Sequence, residues 1–225
     1  MITSATLFNF QRQYCAYYRT LEEDFVATEK YLTVNKDNFS AYSNEFVKLL
    51  QATCSELDVM LKGLCRLIDP KFKGETINTY CKCILDSNPH FVRANVSLIR
   101  VQEIMLAPWG EWHCTEKSVT NGKVVIEVDN PNWWTMYNKI KHDRTKVCPS
   151  SKKPYYKYAN QENVLNALAA LYIVISYILH MLCQYIRQED ASHFLTEWYT
   201  GSKLFNGGFA VTGISKIPNA TSPWD

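Results

Sequence analysis

Twenty consecutive residues, 164–183, read VLNALAALYIVISYILHMLC and include no Asp, Glu, Lys or Arg. An apolar run of that length is either a helix that crosses a bilayer or a helix buried on every side inside a helical domain. Asn166, Ser176 and His180 interrupt the run, and Asn163 and Gln184 flank it. Polar groups need partners that hydrocarbon does not offer, and the flanks lack the pattern of a membrane anchor. The reading is therefore a buried core helix in a mainly α-helical fold. A membrane-associated protein is the competing expectation, and it rests on this tract alone.

The rest of the chain is built to surround such a helix. It has 225 residues, of which 47% are hydrophobic and 20% charged, which excludes wholesale disorder and allows one large domain. A helix is expected over 21–34, with Glu22, Glu23 and Asp24 in its first turn. A longer one follows from 39, capped by Asn38, with Tyr42, Phe46, Leu49, Leu50, Thr53, Leu57, Met60, Leu64 and Leu67 at three- and four-residue steps. It stops before Pro70. A shorter helix is expected over 74–85. The Val/Ile/Leu-rich tract 96–106 and the run KVVIEV at 123–128, with Asn121-Gly122 as a turn, predict a small β insertion at about 96–128. Pro131 opens another helix through Trp133, Trp134, Tyr137 and Ile140. Residues 1–190 then form one domain. Gly201, Gly207, Gly208, Gly213, Pro218 and Pro223 make 191–225 an irregular arm packed on it, with 209–214 as a short strand.

Eight cysteines are scattered through the helical patterns, and the opening residues MITSATLFNFQRQYC lack the features of an export signal. They are expected to be reduced, in a cytoplasmic protein. Zinc is the alternative, if Cys81, Cys83, His90, His113, Cys114 and Cys148 converge. No CxxC pair occurs, however, and neither metal nor cofactor is expected.

Charge is uneven. Between 139 and 157 lie Lys139, Lys141, Arg144, Lys146, Lys152, Lys153 and Lys157 against Asp143 alone. The whole chain carries only +2, so the remainder is net negative. Tyr155 and Tyr156 interleave with these cations. Cations neutralise phosphates and aromatic faces stack on unpaired bases, so the mixture suits single-stranded nucleic acid. A solvated basic loop with tyrosines turned inward, or a patch for an acidic protein, are the other readings. Within the same stretch, Asn138 and His142 share a helix face. A histidine among cations stays neutral and able to accept a proton, and Arg144 offers a two-pronged grip on phosphate. On the long helix Glu56 lies at the margin of the apolar stripe without a local partner, and is expected to meet His142, Arg144 or a lysine. Asn163 and Asn166 lie on roughly one face and read as structural amides that fix a loop or a cap.

The patterns LEEDF, CSELDV, WWTMYNKIKHDR and ENVLNALAAL, with a KH-containing helix end ahead of the last, resemble a bacterial and phage-associated group of the HEPN superfamily over about 21–184. The resemblance implies a bundle of long antiparallel helices. It implies an RNA-acting module of a prokaryotic defence or toxin–antitoxin system, a metal-independent endoribonuclease that dimerises to complete one cleft. The histidine of the HEPN signature falls on His142. Thr135, Met136 and Tyr137 stand where its arginine is expected, and Arg144 follows instead. In this reading His142 is the general acid/base on a ribose 2′-hydroxyl, Arg144 and Lys141 hold phosphate, and Glu56 and Asn138 orient the site. Expected partners are RNA, a second copy of the chain and a protein of the antitoxin kind. The alternative is a HEPN-like module that binds nucleic acid or protein without catalysis.

Overall fold

The computed structural model describes residues 2–119, 123–206, 211 and 222–224, and the fold is mainly helical. The chain enters through one nearly continuous helix, α1 (Ser4–Phe10) and α2 (Ala16–Thr28), joined by a π-helical turn at Gln11–Cys15. Leu7, Phe10, Cys15, Tyr18, Leu21 and Phe25 are its buried apolar side chains. The five-residue step from Phe10 to Cys15 is too long for an α-helix, and the π turn, in which Ala16 donates to the Gln11 carbonyl, absorbs the extra residue. The helix therefore begins well before 21, and it ends at Thr28 rather than 34.

α3 (Asn44–Ile68) carries the expected stripe but starts later than its apolar spacing suggests. Ser43 caps it by accepting from the Phe46 amide at 3.0 Å, whereas the Asn38 amide donates to the Thr33 carbonyl. Tyr42 consequently lies outside the helix and is 45% exposed. α4 (Ile77–Ser87) follows, capped by Thr76 and Thr79. The β insertion consists of two separate antiparallel pairs. Val96–Ser97 (β1) pairs with Met105–Leu106 (β2), and His113–Val119 (β3) pairs with Lys123–Asp129 (β4). The Asn121-Gly122 turn lies outside the described residues. The second pair rests on α4 through Cys114 and Val128.

α5 (Asn132–Asp143) turns Trp133, Trp134, Tyr137 and Ile140 inward. Trp133 donates to the Pro108 carbonyl at 2.8 Å and packs edge-on against the buried Trp109, which lies in the connection before β3. α6 (Gln161–Cys183) is the apolar tract, and it is buried over almost its whole length. Its polar residues are satisfied inside the protein. Ser176 donates to Tyr172 and accepts from the Trp198 indole at 2.8 Å, and His180 meets the Tyr199 hydroxyl at 2.8 Å. Both partners belong to α7 (Gln188–Thr200), a helix where an irregular arm was expected. The proposed strand at 209–214 lies outside the described residues, apart from Val211.

α3 and α6, the two longest helices, begin side by side. Tyr42 bridges Asn160, and Gln161 donates to the Ala41 carbonyl at 2.9 Å. They then pack along each other and run the same way, which departs from a bundle of long antiparallel helices. The reason is topological. α4, the β pairs and α5 carry the chain away and back before α6 begins. α2 does run opposite to both, because the Gln161 side chain at the start of α6 reaches the Thr33 carbonyl just past the end of α2.

Candidate nucleic-acid interface

The basic segment folds into one compact unit beside the paired starts of α3 and α6. After α5 the chain makes a narrow hairpin. Val147 bridges Pro154, Cys148 donates to the Lys153 carbonyl, and Tyr155 and Tyr156 donate back to Lys146 and Arg144 at 3.0 Å each. At the tip Lys152 adopts φ 59°, the left-handed region that non-glycine residues seldom enter. The fold-back brings Lys146, Lys152 and Lys153 onto the same end as Lys139, Lys141 and Arg144 of the α5 terminus, and all six are exposed. Only Lys146 among these six forms an ion pair between described residues, with Asp143 at 3.7 Å. The first turns of α3 and α6 add amide dipoles, offset in part by Glu45 and Glu162.

Aromatic groups are divided between core and surface. Tyr155 is buried and unavailable for stacking. Tyr156 is half-buried and set edge-on against Tyr42 at 5.8 Å, with the Lys157 ammonium 5.3 Å above the Tyr42 ring. Tyr42 is thus the exposed aromatic of this face. Its place in the helical spacing had marked it as core, so no sequence signal identified it. Lys141 lies over Tyr137 at 5.8 Å. Cys148 accepts hydrogen bonds from Ser150 and Ser151, which hold its thiol down at about 6.

The four residues assigned to catalysis do not assemble within the chain. His142 is exposed and makes no hydrogen bond or ion pair among the described residues. Asn138 donates to Trp134 of its own helix at 3.3 Å, and Arg144 donates to Asn44 at 3.5 Å. Glu56 meets none of the cations expected for it. Its carboxylate lies near Tyr14 of the π turn, whose hydroxyl pKa is raised by burial and, second, by the Glu56 charge. Asp58, two residues on, is the acid that lies near Lys141, with Tyr80 and Tyr137 within its field. The two residues point in nearly opposite directions from α3. Of the six potential zinc ligands, Cys81 and Cys114 come together, and no group of three His, Cys, Asp or Glu among the described residues is placed to hold a metal.

Burial raises the Glu56 carboxyl above its usual range, and its Oε1 is enclosed with no hydrogen-bond partner among the described residues. A carboxyl whose folded pKa exceeds its unfolded value favours folding at low pH and loses that contribution as pH rises through the folded value. Glu56→Gln is therefore expected to stabilise the protein at pH 7 and to flatten stability from about pH 4 upward. Urea midpoints across that range test this. A variant less stable than the wild type at pH 7 contradicts it.

Comparison with protein families, curated proteins and solved structures finds no match to this chain.

Proposed function

We propose that this chain is a non-catalytic module that binds single-stranded nucleic acid, with RNA as the expected ligand. The observation that supports this most is the hairpin at 144–156. It gathers six exposed cations at the end of α5, next to Tyr42. Exposed cations gathered at one end suit successive phosphates, and an exposed ring beside them suits an unstacked base. The dispersal of His142, Asn138, Arg144 and Glu56 favours binding over cleavage, since acid/base catalysis needs its groups within hydrogen-bond reach of one proton.

Salt dependence distinguishes phosphate contact from a merely soluble surface. Lys152, Lys153 and Lys157 replaced together by glutamine should reduce the slope of log affinity against log salt by about 2, at roughly 0.7 per phosphate contact on a single strand. Fluorescence anisotropy with a labelled oligouridine, over about 50 to 200 mM salt, reads that slope. An unchanged slope assigns the patch to another role.

A further inference from the structure

A cavity of about 470 Å³ opens between the end of α2 and the start of α3, a size typical of small-ligand sites. Asp24, Ala27, Thr28 and Tyr31 line one side of it, at the i, i+3, i+4 and i+7 steps of a single helix face. Phe46 and the half-buried Leu32 supply apolar wall, and Phe46 is stacked on Phe25 at 6.0 Å. Tyr31 is 84% exposed, so its ring is open to a ligand. The cavity shares the start of α3 with the basic face. Tyr42 meets the Lys157 ammonium at 5.3 Å and Asn44 meets Arg144 at 3.5 Å, while Ser43 and Glu45 line the cavity.

The polar atoms of the cavity are chiefly acceptors. Thr28 donates its hydroxyl proton to the Phe25 carbonyl at 2.7 Å, which leaves lone pairs for a ligand. Glu45 is held by Lys48 at 2.6 Å, whereas the Asp24 carboxylate makes no hydrogen bond or ion pair among the described residues. The Ser43 hydroxyl accepts from the Phe46 amide and keeps its proton for one acceptor. A fitting ligand has an apolar body and an edge made mostly of donors.

We infer that this cavity binds a guanine base turned out of the single strand on the basic face, an inference that rests on the nucleic-acid reading of that face. Guanine carries two adjacent donors on its Watson–Crick edge, N1–H and the N2 amine, and they match the two oxygens of one carboxylate. Adenine and cytosine set their amine beside a ring acceptor, and uracil sets its N–H between two carbonyls. A carboxylate repels those acceptors. Asp24 reads the guanine edge, Ser43 donates to O6, and the Tyr31 ring stacks on the purine. The same carboxylates repel phosphate, so the backbone stays with Arg144 and Lys157 and the base alone enters.

The test compares labelled oligouridine with the same strand carrying one central guanine, by fluorescence anisotropy on the full chain. The guanine strand is expected to bind about tenfold more tightly, toward the lower end of what a bidentate base contact discriminates. Asp24→Asn puts a donor amine where an acceptor oxygen stood, and should erase that preference while leaving oligouridine affinity unchanged. Free guanosine and uridine, followed by saturation-transfer NMR, probe the cavity without the basic face. Guanosine should receive the stronger transfer, and Asp24→Asn should remove the difference. Equal transfer to the two nucleosides, or a guanine preference that survives Asp24→Asn, overturns the inference. Failure of the nucleic-acid reading looks different. Neither strand then binds, or the salt slope ignores Lys152, Lys153 and Lys157, and the nucleoside comparison still decides the cavity.

Discussion

Glu22→Ala is expected to cost about 3–5 kcal/mol of folding stability, the loss typical when one member of a buried, hydrogen-bonded charge network is removed. Glu22 is fully enclosed. Its carboxylate accepts from the Tyr18 hydroxyl at 3.0 Å, the Arg19 guanidinium at 3.5 Å, the Ser202 hydroxyl at 2.5 Å and the Lys203 amide at 2.9 Å. Alanine strands all four donors, two of them on the segment that follows α7, so the chain end loses its anchor to α2. Glu22→Gln keeps one acceptor oxygen and should lose roughly half as much. The exposed neighbour Glu23, which pairs with the Lys203 ammonium, makes a fitting control whose removal should barely move the urea midpoint. A loss at Glu22 no larger than that at Glu23 refutes the anchoring role.

Leu171→Ala should cost about 2–5 kcal/mol, because it opens a cavity at the centre of α6 that rigid neighbours cannot fill. Leu171 is wholly inaccessible. Its neighbour Tyr172 packs against Tyr18, Trp198 and Phe205, from α2, α7 and the residues beyond, so elements on several sides share the loss. Val59→Ala, on a side chain 45% exposed, should stay within about 0.5 kcal/mol. Equal urea midpoints for the two variants contradict a core role for the α6 centre.

Several elements were legible because their signals are local. α3 and α6 follow from apolar spacing, and β4 from the partial alternation at 123–128, whereas its partner β3 carried no strand signal. Others were hidden by exceptions to the same rules. The first half of the α1–α2 helix escapes a 3.6-residue reading because its buried side chains skip five residues at the π turn. α7 escapes because its first turn is polar and few of its side chains are buried, chiefly Ala191 and Trp198. Glu22 reads in the sequence as a dipole-facing acid in a first turn. Only when the chain end folds back over α2 do Ser202 and Lys203 reach it.

The sequence by itself determined the helical class, the burial of residues 164–183 and the concentration of positive charge at 139–157. Each depends on residues close together in the chain, where periodicity and local charge carry the physics. Tertiary structure alone decided which side chains share a site. It set α3 and α6 parallel by returning the chain to one end of the fold, placed Tyr42 beside Lys157, and separated Glu56 from His142. It also set Asp24 of α2 and Phe46 of α3 around one cavity. Side chains about half a helical turn apart in sequence, such as Glu56 and Asp58, face different neighbours, and those neighbours come from parts of the chain that no local pattern connects.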